Sequence, residues 1–364
     1  MPLVPSHIKK LKKYKPGKSI QSAEKEAGKN NYIKLASNEN PLGPSPLAIK
    51  EIKKSLLDIN RYPDAAGYDL RKKLANKFNI QLDNVTIGSG SEGIMSTIMR
   101  TFLLGDDEII GSIGSFIGFK VLANASGNKI HWVPMKDYRY DLSSMADKIT
   151  DYTKIIYIAN PDNPTGTYIK KSEFDQFYSK VPKRVLIILD EAYYEFAKNQ
   201  KNYPDSMIYR YDNVITLRTF SKAYGLSGLR LGYGFAHKDL ISNLNKVKPP
   251  FEPSSLAQQA GIAALADNDF LKKTVNLNQL GMEFLINEFN ILGVNYISSS
   301  ANFITTIWKD EAEAEKITND LLKKGVIVRR LSAFGWKNLI RISIGLEQEN
   351  VQFIKSLKEI LWEI

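Results

Sequence analysis

Lys222 stands in the run Thr219-Phe-Ser-Lys-Ala-Tyr-Gly-Leu-Ser-Gly-Leu-Arg-Leu-Gly-Tyr233, directly after the apolar stretch Val214-Ile-Thr-Leu217. A lysine at the carboxyl end of a buried strand can condense with a carbonyl. The hydroxyls of Thr219 and Ser221 beside it, and Arg230 beyond it, can hold an anion. A second group of the same kind is Asp190, which closes the apolar run Val185-Leu-Ile-Ile-Leu189. A carboxylate there is costly unless paired, because burial disfavours its charged form; the expected partner is a cation held in the site.

Three loops supply the remaining polar and flat groups. Gly88-Ser-Gly-Ser-Glu-Gly93 follows Val85-Thr-Ile87 and precedes a helical pattern, so close backbone approach and free N–H groups at a helix start suit a phosphate. Gly88, Gly90 and Gly93 also match a dinucleotide fingerprint. The next strand, ending at Ile110, runs into Gly111-Ser-Ile-Gly and not into the acid that would hold a ribose. That second loop brings Phe116, whose face can stack on a flat heterocycle. The third, Asn160-Pro-Asp-Asn-Pro-Thr-Gly166, reads as a pair of tight turns that offers the Asn163 amide. Taken singly, each feature has an ordinary structural role.

The elements that must position these groups are short β-rich runs alternating with helical patterns between about residues 80 and 240, the signature of βαβ units and a mostly parallel sheet flanked by helices. The runs are Val85–Ile87, Glu108–Ile110, Ile155–Ala159, Val185–Leu189 and Val214–Leu217. In such sheets the ligand crevice lies outside the carboxyl ends of the strands, so all these loops converge. Beyond Lys248-Pro-Pro-Phe-Glu-Pro253 come two long helical patterns (about 254–290). Strands are then expected at 302–308, 326–328 and 339–343, with helices at 310–324 and 347–362. The reading is α/β: a large cofactor-binding domain over 36–250, and a smaller α+β domain from 1–35 and 251–364. The first 35 residues are expected on the small domain or on a partner subunit.

Composition narrows the classes. A chain of 364 residues, 43% hydrophobic, buries a large core, and the absence of cysteine removes disulfides and thiolate chemistry. Its three histidines, His7, His131 and His237, are far apart, which argues against a metal site or a Ser-His-Asp triad. The net charge of +11 is spread over amphipathic segments and the basic stretch His7–Lys15 without a nucleic-acid module, so no nucleic-acid partner is expected. With neither a signal peptide nor a long apolar run, the expectation is a cytoplasmic protein with no membrane partner.

A lysine, an acid to keep a ring nitrogen protonated, a phosphate cradle and an aromatic face form the set that pyridoxal phosphate requires. The chain resembles, nearly end to end, the fold-type I aminotransferases that use this cofactor, and within them it is most similar to histidinol-phosphate aminotransferases. The motifs that carry the likeness are Tyr14-Lys-Pro-Gly17, Leu35-Ala-Ser-Asn-Glu-Asn-Pro-Leu-Gly43, Arg61-Tyr-Pro-Asp64 and Asn160–Gly166. They continue with Asp190–Tyr193, Phe220-Ser-Lys222 with Gly228-Leu-Arg230, and Arg341-Ile-Ser-Ile-Gly345.

The resemblance implies that Lys222 binds the cofactor aldehyde and then moves the substrate proton, with Asp190 on the pyridine nitrogen and Tyr193 and Asn163 on the phenolate oxygen. The phosphate falls to the N–H groups of Ser91 and Glu92, to Thr219, Ser221 and Arg230, and to Tyr62 of a neighbouring subunit, which implies a homodimer with shared sites. Phe116 stacks on the ring where many relatives have tyrosine. Arg341 grips the substrate anion, with Arg329, Tyr14, Asn40 and Asn302 around it; the direction of Arg330 is open. The implied reaction transfers an amino group from glutamate to imidazole acetol phosphate. Two relatives share the motifs. One is an aromatic amino-acid aminotransferase, with Phe116, Tyr14 and the Phe334-Gly-Trp336 loop as its pocket; the other is a threonine-phosphate decarboxylase.

Overall fold

The computed structural model describes residues 3–11, 13, 17, 20–27, 32–209 and 212–362. Its main sheet has seven strands: β1 (Val85–Ser89), β2 (Glu108–Ser112), β3 (Lys129–Val133), β4 (Thr153–Ala159), β5 (Leu186–Asp190), β6 (Val214–Thr219) and β7 (Leu231–Phe235). Their spatial order is β1-β7-β6-β5-β4-β2-β3, and only β7 runs antiparallel to its neighbours. All five expected runs are strands. The two that sequence reading missed, β3 and β7, are respectively a half-exposed edge and a strand with alternating glycines, so neither shows a continuous apolar run.

Period-two alternation divides each central strand between two cores. Ile155, Tyr157, Leu186, Ile188, Ile215 and Leu217 pack under the helices Gly90–Phe102 (α1) and Ile117–Ser126 (α2). Ile156, Ile158, Ile187, Leu189 and Val214 pack on the opposite face, over Phe174 and Phe177. Buried on both sides, these strands read as unbroken Ile/Leu/Val runs, as parallel sheets do.

The smaller unit is a four-stranded antiparallel sheet. Its strands are β8 (Asn295–Ile297), β9 (Phe303–Ile307), β10 (Arg329–Arg330) and β11 (Leu339–Ser343), in the order β10-β11-β9-β8. Helices Glu311–Lys323 (α3) and Glu347–Trp362 (α4) cover it with the help of helix Asn268–Leu292 (α5). Ile33–Lys34 pairs in parallel with Val326–Ile327, and Leu35 joins this core. The helix Ser6–Lys9, by contrast, lies against α2 of the large unit. Helix Ser255–Ala266 also departs from the expected division: Ala257, Ala260 and Ala264 pack with Leu70, Leu74 and Leu231 of the large unit, because its small residues permit close approach to the helices there. Among the described residues no helix is long and apolar enough to cross a membrane.

The two units meet behind the Asn163 loop. Ser300 N–H donates to the Gly166 carbonyl at 2.8 Å and Thr305 Oγ1 to the Pro164 carbonyl at 2.7 Å. Gly166 has φ +78°, and a Cβ there would lie 2.1 Å from Ser299 Oγ and 3.0 Å from Ser299 Cα. Gly166→Ala is therefore expected to destabilise the protein by about 1–3 kcal/mol in a denaturant titration. A loss under about 0.5 kcal/mol would show that the contact yields easily.

Candidate active site

The crevice at the carboxyl ends of the strands is a cavity of about 220 Å³. Alternation explains its composition: Asp190 and Thr219 share the parity of Ile188 and Leu217, so they emerge on the face covered by α1 and α2. Ser91 and Glu92 line it from the first turn of α1, Phe116 from the start of α2, and Asn163 from the loop after β4. Asp190, Tyr193, Thr219, Ser221, Lys222 and Arg230 complete the wall, with Ala159, Pro161 and Ala192 between them. Ten of the residues expected at a cofactor thus surround one space.

Burial sets the electrostatics. The Asp190 carboxyl is pushed up to about 6, chiefly by desolvation; the Tyr157 hydroxyl, donating to Oδ2 at 2.9 Å, and the Ala192 N–H oppose the shift. Its other oxygen, Oδ1, is buried and has no hydrogen-bond partner. A buried carboxylate with one bonded and one unsatisfied oxygen is suited to receive a cationic N–H. The Lys222 amine is pressed down from 10.5 to about 8 by burial and then by the Arg341 and Arg230 guanidiniums, against the pull of Glu39 and Asp190. Tyr193 is pushed up to about 12 by burial, so its hydroxyl keeps a proton to donate; that hydroxyl accepts from Asn38 Nδ2 at 2.9 Å.

The anion end is built by α1 and Arg230. Arg230 lies within 3.8 Å of Glu92 Oε2 and donates to Ser221 Oγ at 3.4 Å. Gly90, at φ +76°, makes room for it: a Cβ there would stand 2.7 Å from the guanidinium. The open N–H groups of the first turn and the arginine face the same small volume, the arrangement that binds a phosphate.

Neither Arg329 nor Arg341 is on the cavity wall; the strand register sets Arg329 directly opposite Arg341, and Arg341 opposite Thr305. Arg341 is buried and donates to Asn163 Oδ1 and to the Ala36 carbonyl. The Arg329 guanidinium lies 5.9 Å from the Phe334 ring centroid and that of Arg341 5.2 Å from the Phe303 ring centroid. Arg330 turns the other way, pairing with Glu311 and Glu315 of α3, each at 3.0 Å.

Some expected residues sit elsewhere. The Asn40 amide donates to the Ala223 carbonyl and to Thr274 Oγ1, both at 3.0 Å, and accepts from Leu42 N–H, so it braces the Lys222 loop and does not line the cavity. Asn302 likewise stands behind the wall, donating to the Asn38 carbonyl at 3.1 Å. Tyr62 is 81% exposed, stacked on Phe251 at 4.4 Å outside this cavity. Tyr14 lies outside the described residues. Sequence reading passed over Tyr157 and Asn38. The first looked like one more apolar strand residue; the second sat unremarked inside the Leu35–Gly43 motif, and its φ of 54° is not visible in sequence.

Comparison with known proteins agrees with this geometry. Residues 30–356 match the family model described as aminotransferase class I and II. The chain belongs to that family. It is 42% identical over 99% of its length to histidinol-phosphate aminotransferase 1 of Nitrosococcus oceani, covering 97% of that protein. It is 39% identical to histidinol-phosphate aminotransferase 2 of Carboxydothermus hydrogenoformans, over 99% of both chains. Among solved structures, the histidinol-phosphate aminotransferase of Sinorhizobium meliloti in complex with pyridoxal-5'-phosphate superposes with TM-score 0.91 at 28% identity, covering 100% of this chain and 98% of that one. Thermus thermophilus aspartate aminotransferase with maleate shares the fold, with TM-score 0.84 at 19% identity and full coverage of both chains. Family membership removes the dinucleotide reading of Gly88–Gly93.

A pKa near 8 leaves about a tenth of Lys222 neutral at pH 7, against well under a thousandth for a lysine at 10.5. Only the neutral amine attacks a carbonyl. Reductive trapping of a small aldehyde on the apoprotein, followed by peptide mapping, should therefore rise through a midpoint near pH 8 at Lys222 and much higher at surface lysines. A shared midpoint would remove the basis for singling out Lys222.

Proposed function

We propose that this chain is a histidinol-phosphate aminotransferase that uses pyridoxal phosphate to move an amino group between glutamate and imidazole acetol phosphate. The observation that carries the reading is the convergence of Lys222, the half-satisfied Asp190 carboxylate and the open first turn of α1 on one cavity. Curated relatives of that name, about 40% identical over nearly the whole length, support it.

The residues fit the cofactor. Asp190 Oδ1 is the acceptor that a protonated pyridine nitrogen needs, and Phe116 offers the aromatic face. Ser91, Glu92, Thr219, Ser221 and Arg230 supply donors for the phosphate. Tyr193 and Asn163, on the same wall, would serve the phenolate oxygen. When bound, pyridoxal phosphate supplies an electron-withdrawing ring that stabilises negative charge at the substrate Cα. Lys222 would hold the aldehyde carbon of the cofactor and, as the free amine, would take at Nζ the proton from the substrate Cα; its depressed pKa keeps a useful neutral fraction for this task. Asp190 would keep the ring cationic, and the Asn38 amide, bonded to the Tyr193 hydroxyl, orients that side chain.

Arg341 binds the carboxylate of glutamate or the phosphate of the second substrate, with Arg329 as the neighbouring grip. The aromatic amino-acid reading draws less support from the same fold. Phe334 is buried, and the Trp336 indole donates to the Gly114 carbonyl at 2.9 Å while packing on Tyr138, so both rings are committed to structure. The reading includes a homodimer, in which the exposed Tyr62 reaches the cofactor phosphate of a second copy, and a cytoplasmic enzyme.

Arg341→Ala should lower kcat/KM by roughly 30- to 1000-fold, the equivalent of about 2–4 kcal/mol for a lost charged hydrogen-bonding pair, while an exposed Lys→Ala changes little. In parallel assays imidazole acetol phosphate should be preferred to phenylpyruvate as acceptor. A preference for phenylpyruvate of about a hundredfold would replace this reading by the aromatic one.

A further inference from the structure

Three residues that line the cavity have chain neighbours in a second, closed cluster behind its wall. Glu191 follows Asp190, Tyr194 follows Tyr193, and Arg218 precedes Thr219. Arg218 is fully buried at the centre. Its Nε donates to Glu191 Oε2 at 2.9 Å, and its Nη2 reaches Glu191 Oε2 at 2.8 Å and Asp205 Oδ1 at 3.1 Å. The guanidinium carbon lies 3.3 Å from the centroid of the Tyr194 ring, whose hydroxyl donates to Asp205 Oδ2 at 2.9 Å. Strand alternation makes the two clusters back to back: along β6, Thr219 faces the cavity and Arg218 the opposite side. The ends of β5 and β6 are also stitched together there, with Glu191 N–H donating to the Leu217 carbonyl at 2.8 Å.

None of the cluster's charged groups lines the cavity. A buried ion pair is a poor source of stability, since hydrophobic replacements of similar volume often serve as well. Its location directly behind Asp190, Tyr193 and Thr219 gives it a different use.

We propose that Arg218 is a positioning residue for the cofactor: by gripping Glu191, Asp205 and the face of Tyr194, it sets how Asp190, Tyr193 and Thr219 are presented to the cavity. It also balances the Glu191 charge, which otherwise adds to the anionic surroundings of Asp190. The other ionisable groups packed around Arg218 are Tyr203, Tyr224, Tyr233 and Glu195, all buried. Burial pushes Glu195 up to about 7 and also raises Glu191, against the pull of Arg218; the carboxylates that bond to the guanidinium are Glu191 and Asp205. The inference rests on the reading that this cavity takes pyridoxal phosphate.

The test uses Glu191→Gln and the double variant Arg218→Met/Glu191→Leu, each as apoprotein titrated with pyridoxal phosphate and followed by the absorbance of the lysine-bound cofactor. The double variant should melt within about 5 °C of wild type as apoprotein, because both charges leave together. Its Kd for the cofactor should nevertheless rise at least about tenfold, the scale on which loss of an outer partner of a bound group is felt. The pH midpoint of the cofactor band should move in both variants. An unchanged Kd and midpoint in a folded variant would assign Arg218 to stability alone. If the double variant does not fold, Glu191→Gln, which keeps an acceptor for Arg218 while losing the charge and the acceptor for the Ser206 N–H, decides by the same two readouts. Absence of the band in wild type would instead overturn the cofactor reading itself.

Discussion

The structure turns on the cost of a carboxylate buried at the end of an apolar strand. Asp190 ends a strand with no exposed residue, and one of its oxygens lacks a partner, so the folded chain carries an unmet demand for a cation. Desolvation raises the carboxyl toward neutrality, whereas a protonated ring nitrogen would draw it back to its ionised form. The same site carries the complementary expense: a lysine held near two guanidiniums, with its own pKa depressed. A ligand with a cationic nitrogen, an aldehyde and a phosphate relieves all of these at once. The apoprotein is therefore preorganised at some cost to its own stability, a pattern expected where function and not packing selects the residues.

The second organising constraint is the meeting of two sheets. Arg341 belongs to the small unit, yet its guanidinium bonds to Asn163 of the large one and to Ala36, and Asn38 bridges Tyr193 to Ser343. Arg341 and the cavity wall are thus parts of one hydrogen-bonded network, so a change at the arginine can be felt at the side chains that line the cavity. Tyr157 shows the same economy within the large unit: stacked on Phe119 at 3.9 Å, it holds a rigid hydroxyl against Asp190.

Much of this was legible in the chain. The Ile/Leu/Val runs announced a parallel sheet because strands buried on both faces need no polar alternation, and convergence of the loops at the carboxyl ends of the strands then placed Lys222, Asp190, Asn163 and Phe116 in one crevice. Helix Ser255–Ala266 was misassigned to the small unit because its alanine-rich surface does not reveal which partner it meets. Asn40 and Asn302 looked like substrate ligands because an amide in a motif carries no sign of whether it faces a cavity or a backbone carbonyl.

The sequence by itself determined the chemistry: the lysine, the acid, the glycine-rich turn and the arginines are residue types in a fixed chain order, and local physics alone says what each can do. Only the tertiary structure decided direction. It turned Arg330 out toward Glu311 and Glu315 while setting Arg329 against Arg341, left Tyr62 exposed, and put Arg218 behind the wall that Thr219 faces. The physical reason is that a side chain's direction follows from strand register and from what packs against each face, and both are set by contacts between segments hundreds of residues apart in the chain.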